Sequence, residues 1–183
     1  MEAPLHSNNN KVAEESYQVL EKLIATAKIL KITDIVIPCV DQSSLKTKET
    51  VSRFVKLIKR IIPTIEKEDI NLSLEADLAP KPFIELLDKL NSKKITINYD
   101  IGNSAALGFN FYEELAAYGD RITDIHIKDR ILGGGPVRLG SGNADFINFF
   151  NELKKFNYKG PFIMQAYRDD EGIEIFKKQL KYI

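Results

Sequence analysis

Apolar positions along the chain follow two alternating rhythms. In "KVAEESYQVLEKLIATAKIL" (11–30) they recur three and four apart, which predicts an amphipathic helix. "DIVIPCV" (34–40) is a short β-rich run and predicts a strand. The same pair repeats. Helices are predicted at 47–67, with Pro63 near the end, at 81–91, with Pro82 in the first turn, and at 110–119, with Gly119 as C-cap. Two more are predicted at 143–158 and 169–183, and strands at 71–78, 94–103, 122–129 and 160–167.

Five strands, each followed by a helix, imply a parallel sheet with helical crossovers. A closed (β/α)8 barrel and an open doubly wound sheet both fit that order. Five strands are too few for a barrel that typically needs about 250 residues. Either the sheet is open, or the chain holds about five C-terminal βα units of an incomplete barrel. "MEAPLHSNNN" reads like a strand exit and its loop, and it lacks the basic and apolar regions of a signal peptide. A single domain over 1–183 is expected.

Composition narrows the function classes. Lys+Arg and Asp+Glu number 26 each, so the basic excess of a nucleic-acid binder is absent. No apolar run approaches the roughly 20 residues of a membrane span. The single cysteine, Cys39, lies in an apolar run, reads as a small core residue and fits a reducing, cytoplasmic setting.

The chemistry lies in polar residues set into the strands. "ITDIHIKDR" (122–130) puts Asp124, His126 and Lys128 on one side of a strand. Glu75, Asp100, His126 and Gln165 sit near the C-terminal ends of four successive strands, at intervals of 25, 26 and 39 residues. Taken singly, each has an ordinary structural reading, as a satisfied core histidine or a helix-capping carboxylate. Together they would bring two carboxylates, an imidazole and an amide oxygen to one point. That donor set suits Mn²⁺, Mg²⁺, Co²⁺ or Zn²⁺, and the cation would offset the cost of burying the carboxylates. Arg130 and Arg168 are candidate anchors for a phosphate or sugar hydroxyls, with solvated salt bridges as the alternative for each. The glycine loop at 133–142 offers backbone N–H groups to a phosphate but matches neither the P-loop nor the dinucleotide fingerprint. His6 reads as a surface-loop histidine, with entry into the site as the alternative.

"LEADL", "NYDIGN", "DIHIKDR", "LGSGNADF" and "YKGPFIMQAY" resemble the successive strand motifs of the sugar-phosphate isomerase/epimerase family, the xylose-isomerase-like TIM barrels. That family includes ketose 3-epimerases and hexulose-phosphate isomerases. The resemblance covers the whole chain and implies the C-terminal two thirds of such a barrel. It implies a metal held by Glu75, Asp100, His126 and Gln165, with Glu75 and Gln165 at the catalytic positions. It also implies a substrate contact from Asn103; Lys128, Arg130 and Arg168 are read beside it as substrate-binding candidates, and Asp129, next to them, as a residue that orients a ligand.

The implied activity is a divalent-metal-dependent isomerase or epimerase of a sugar or sugar phosphate, acting through a metal-stabilised cis-enediolate with Glu75 as base. Gln165 stands where the family has a second glutamate, and an amide cannot serve as a base. This favours a one-base proton shuttle over two-base epimerisation. A degenerate non-catalytic barrel and a dehydratase or lyase on the same scaffold are the alternatives. A nuclease would need more His and carboxylate ligands than a chain with two histidines offers. The partner expected is a small-molecule sugar, with no nucleic acid and no membrane. A homo-oligomer is compatible with all of this.

Overall fold

A computed structural model describes residues 4–165, 167 and 172–183. The chain divides into two compact units, Met1–Ile97 and Asn98–Ile183.

The first unit opens with α1 (Asn10–Leu30), capped by the Asn9 side chain, which accepts from the Lys11 amide. Tyr17, Leu20, Ile24 and Ala27 form its buried stripe. The strand β1 (Asp34–Cys39) follows, then α2 (Lys48–Glu68), which starts at a Thr47/Thr50 capping box. Phe54, Leu57, Ile58, Ile61 and Ile65 are the buried face of α2. Pro63 lies on its exposed side and the helix continues beyond it. Next come β2 (Asn71–Ala76) and α3 (Pro80–Leu90), and then β3 (Ile95–Asp100), which begins in this unit and ends in the next. The helices α1, α2 and α3 end on left-handed residues that are not glycine: Lys31, Asp69 and Asn91. The strand β1 pairs with β2 in parallel, and β2 with β3, in the registers Ile37↔Leu74 and Leu74↔Ile97.

In the second unit β3 runs straight into α4 (Ile101–Leu107), a buried seven-residue helix absent from the expected set. It is followed by α5 (Phe111–Tyr118) and β4 (Ile122–Ile127). The glycine-rich stretch contains a small antiparallel pair, β5 (Asp129–Arg130) and β6 (Pro136–Val137), also unforeseen. The unit closes with α6 (Phe146–Leu153), β7 (Phe162–Met164) and α7 (Ile173–Leu180). Gly119 does cap α5, but in right-handed backbone. Its need for glycine is spatial, because a Cβ there would meet the Phe156 ring at 2.7 Å.

The strand order is β1-β2-β3-β4-β7. These are the five strands that the alternation predicts, and the class is α/β with a parallel sheet. The strand β4 is buried on both faces: Asp124 and His126 on one, Ile125 and Ile127 on the other. Parallel strands covered on both sides behave this way. Among the described residues no helix is long and apolar enough to cross a membrane.

Candidate metal centre

Asp100 ends β3 and caps α4. Its Oδ1 accepts the Asn103 amide hydrogen at 2.7 Å, which satisfies one of the orphan donors of the helix start. Gly102 makes this junction possible: a Cβ there would lie 2.9 Å from the carbonyl carbon and oxygen of Lys128. The other oxygen, Asp100 Oδ2, is buried and has no hydrogen-bond partner among the described residues. It lies 3.7 Å from His126 Nδ1 and 3.5 Å from Lys128 Nζ.

His126, buried in β4, takes a contact of 3.2 Å on Nδ1 from the Asn98 amide. The tautomer decides which group donates; with the Asn98 nitrogen as donor, the Nδ1 lone pair is engaged by Asn98, and a metal at Nδ1 would take the place of that hydrogen bond. Glu75, at the C-terminal end of β2, Asp100 and His126 are all buried, and within the second unit Asp100 and His126 face each other as described. A carboxylate and an imidazole suit a borderline or hard divalent cation. A buried carboxylate oxygen without a hydrogen bond is what such an ion would satisfy. The residues present therefore fit the metal.

The other expected site residues fall into two sets. Lys128 and Gln165 line one cavity of about 640 Å³, with Met164, Tyr167, Phe176 and Gln179. Gln165 is exposed, and its Oε1 accepts from Lys128 Nζ at 3.0 Å. Asn103 and Arg130 hold each other, through Arg130 Nη1 and Asn103 Oδ1 at 2.8 Å. The same guanidinium donates from Nε and Nη2 to the Gly134 carbonyl. Arg130 is thus bound into its own loop rather than paired with a surface carboxylate. Arg168 lies outside the described residues.

Asp129 departs from its expected role. It is fully buried, and its carboxylate accepts amide hydrogens from Gly140, Gly142 and Ala144 at 2.8–3.0 Å. It fastens the glycine-rich loop instead of orienting a ligand. Two of the loop amides in the stretch 133–142, those of Gly140 and Gly142, are committed to it. Leu139 N–H is committed as well, to Gln179 Oε1, while Gln179 Nε2 donates to the Tyr167 carbonyl.

His6 is buried rather than a surface-loop residue, at 8% exposure. Its carbonyl accepts from Arg53 Nε at 2.8 Å. Burial and then the Arg53 charge hold its imidazole below the ordinary histidine value. Cys39 is a buried core residue as expected, and burial pushes its thiol far up.

A cluster around Glu114 gave no clear signal in the sequence. Its buried carboxylate accepts from Tyr99 Oη at 2.7 Å, from Tyr118 Oη at 2.9 Å and from Ser104 Oγ. Burial, and next the Glu114 charge, raise both tyrosine hydroxyls. Tyr99 and Ser104 flank Asp100 in sequence, so the cluster pins the β3–α4 junction that carries it. The only sequence clue is a glutamate on the inward side of the α5 pattern.

An alternating α/β chain with a buried aspartate and histidine facing each other at its strand ends is an enzyme-type scaffold with a candidate divalent-metal centre. The pattern of the family described as xylose isomerase-like TIM barrel matches residues 2–183, and the chain belongs to that family. A putative L-ribulose-5-phosphate 3-epimerase, SgbU, of Haemophilus influenzae is 29% identical over 181 residues, covering 91% of this chain and 63% of the relative. The chain thus spans under two thirds of that relative's length. A xylose isomerase domain protein from Planctomyces limnophilus superposes with a TM-score of 0.80 at 17% identity, covering 94% of this chain and 64% of the other. The IOLI protein, solved with a zinc atom, gives 0.80 at 18% identity, covering 97% and 72%. These two likenesses establish the fold.

Proposed function

We propose that the chain carries the metal-binding half of a divalent-cation-dependent isomerase or epimerase of a sugar or sugar phosphate. The observation that carries this reading is the buried Asp100–His126 pair, 3.7 Å apart, with an aspartate oxygen that has no hydrogen-bond partner among the described residues. The likeness to SgbU supports the substrate class, a ketose phosphate. When bound, a divalent cation supplies Lewis-acid polarisation of a substrate carbonyl.

The chain's own residues do the rest. Asp100 is held ready by the Asn103 amide at the start of α4, which fixes Oδ1 and leaves Oδ2 to the centre. Glu75 is the base, taking a proton from the carbon beside the carbonyl and returning it to the former carbonyl carbon, while the proton of the neighbouring hydroxyl passes to the former carbonyl oxygen. Gln165 cannot share that task, because an amide has no basic lone pair to offer at ordinary pH. Lys128 and Gln165 face the cavity in which the sugar would lie. A one-base transfer of this kind interconverts an aldose and a ketose.

The test is hydrogen exchange at substrate carbon. L-Ribulose 5-phosphate and a panel of ketoses and ketose phosphates are incubated with the chain and Mn²⁺ in D₂O and followed by proton NMR. Deuterium entering next to the carbonyl, and stopping on addition of EDTA, is the expected result. No exchange with any of them overturns the reading, and clean inversion at C3 overturns the one-base form of it.

A further inference from the structure

Gln165 occupies the place where the family resemblance puts a fourth metal ligand, yet its oxygen is engaged elsewhere. Oε1 accepts from Lys128 Nζ at 3.0 Å, and the residue is exposed while Asp100 and His126 are buried. The same ammonium stands 3.5 Å from Asp100 Oδ2. Lys128 therefore links Gln165 to the metal-binding carboxylate, as a cation on the edge of the centre.

Two physical points oppose a direct Gln165–metal bond. The hydrogen bond from an ammonium is charge-assisted, so an amide oxygen gives up a strong partner by leaving it. A neutral amide also contributes no charge to offset that of the cation, unlike the carboxylate it replaces. If Gln165 turned inward, the Lys128 ammonium would lose its acceptor next to a dication that repels it.

The cavity indicates what the pair is for. Lys128 and Gln165 line its 640 Å³ together, and the remaining lining is largely apolar, with Met164, Ile175 and Phe176. A lysine carries three donors. One is committed to Gln165, one faces Asp100, and the third is available to a ligand oxygen in the cavity. Once a cation engages Asp100, the ammonium keeps Gln165 and gains that ligand.

Resting on the metal centre argued under Proposed function, we infer that Gln165 is a positioning residue for Lys128 and not a metal ligand. Lys128 is the specificity-determining residue, donating to an oxygen of the sugar. Asp100 and His126 would then hold the metal without Gln165, which would leave positions open for substrate, as in catalytic sites.

The experiment measures Mn²⁺ affinity by calorimetry for the unaltered chain and for Gln165→Met, Lys128→Met and Gln165→Glu. L-Ribulose 5-phosphate is then titrated into each Mn²⁺-loaded form. Gln165→Met should leave the Mn²⁺ affinity within about threefold, well under the tenfold or more expected on losing a ligand or a close contact of one. Lys128→Met should tighten Mn²⁺ binding several-fold by removing a competing cation. Sugar phosphate binding should weaken roughly 10-fold or more in Gln165→Met and in Lys128→Met, the scale of a lost hydrogen bond to a charged group, with no further loss in the double variant. Gln165→Glu retains an acceptor oxygen and should restore sugar binding toward the unaltered level.

If the unaltered chain binds Mn²⁺ and Gln165→Met weakens that binding tenfold or more, Gln165 is a ligand and the inference falls while the metal centre stands. If the unaltered chain binds no Mn²⁺, the metal reading falls and the inference with it. Additive losses in the double variant, or no sugar phosphate binding by the Mn²⁺-loaded unaltered chain, overturn the role of Lys128.

Discussion

Asp100 Oδ2 and His126 Nδ1 lie 3.7 Å apart, too far for a hydrogen bond and close enough to share one cation. Both side chains are buried, and the aspartate oxygen has no hydrogen-bond partner among the described residues. A cation bound there stabilises the folded state by mass action, by about 2.7 kcal/mol when its concentration is 100 times Kd. Thermal melts with excess Mn²⁺, Co²⁺ or Zn²⁺ should move upward. Asp100→Asn and His126→Ala should largely abolish the shift. An unmoved melt of the unaltered chain would count against a metal centre.

Glu75 carries the proposed proton transfer. Glu75→Gln removes the base while keeping the size of the side chain. Carbon-bound hydrogen exchange should slow by roughly 10²–10⁴-fold. A loss far smaller than this, measured by NMR with Mn²⁺ at saturation, would move the base to another residue.

Asp129 gives its two oxygens to three loop amides. Asp129→Ala leaves those donors without their acceptor, and each unsatisfied buried group costs roughly 1–3 kcal/mol. Water entering the opened loop offsets part of that, so a net loss of at least about 2 kcal/mol is expected in urea unfolding. Amide exchange at Gly140, Gly142 and Ala144 should accelerate together, and unchanged protection there would refute the clamp.

Glu114 is the shared acceptor of three hydroxyls. Glu114→Ala should cost roughly 3 kcal/mol or more, since buried hydroxyl groups lose their partner at once. The β3–α4 junction should loosen with it. Mn²⁺ affinity is then expected to fall beyond what the change in global stability explains, by comparison with a core variant of equal stability such as one at Leu153.

His6 sets a pH dependence. Its folded-state value is lowered, so the unfolded chain takes up the proton first as pH falls. Stability from this residue is complete above the ordinary value near 6.5 and declines as pH drops below it, levelling off once the folded form is protonated too. Denaturant melts between pH 7.5 and 5 should show that decline, and His6→Gln should reduce it. An equal slope in the variant would assign the effect to other groups.

The sheet is legible in the sequence because buried parallel strands leave short apolar runs and their helices leave a three-four rhythm. Glu75, Asp100 and His126 are legible for a related reason: charged groups inside such runs demand an explanation. The helix α4 is not, since seven residues are too few for a rhythm and most of them are buried. His6 is buried beside Arg53, 47 positions away, a contact no local pattern encodes. Asp129 sits next to the glycine loop in sequence. Its binding of that loop depends on a turn that brings residues eleven to fifteen positions later back to it. Local rhythm yields elements, whereas the partners of polar groups come from the tertiary fold.

Cys39 closes β1, which has β2 as its partner and Pro38 beside it. A proline in an outer strand offers no N–H to a further strand. The thiol itself is 1% exposed. An alkylating reagent can reach it only when this end of the strand opens, because the thiolate that reacts is suppressed while it stays closed. As the single sulfhydryl in 183 residues, it serves as a chemical clock for that margin of the sheet. Labelling rates in rising urea would separate local fraying, which is insensitive to denaturant, from opening of the whole unit, which is steeply sensitive.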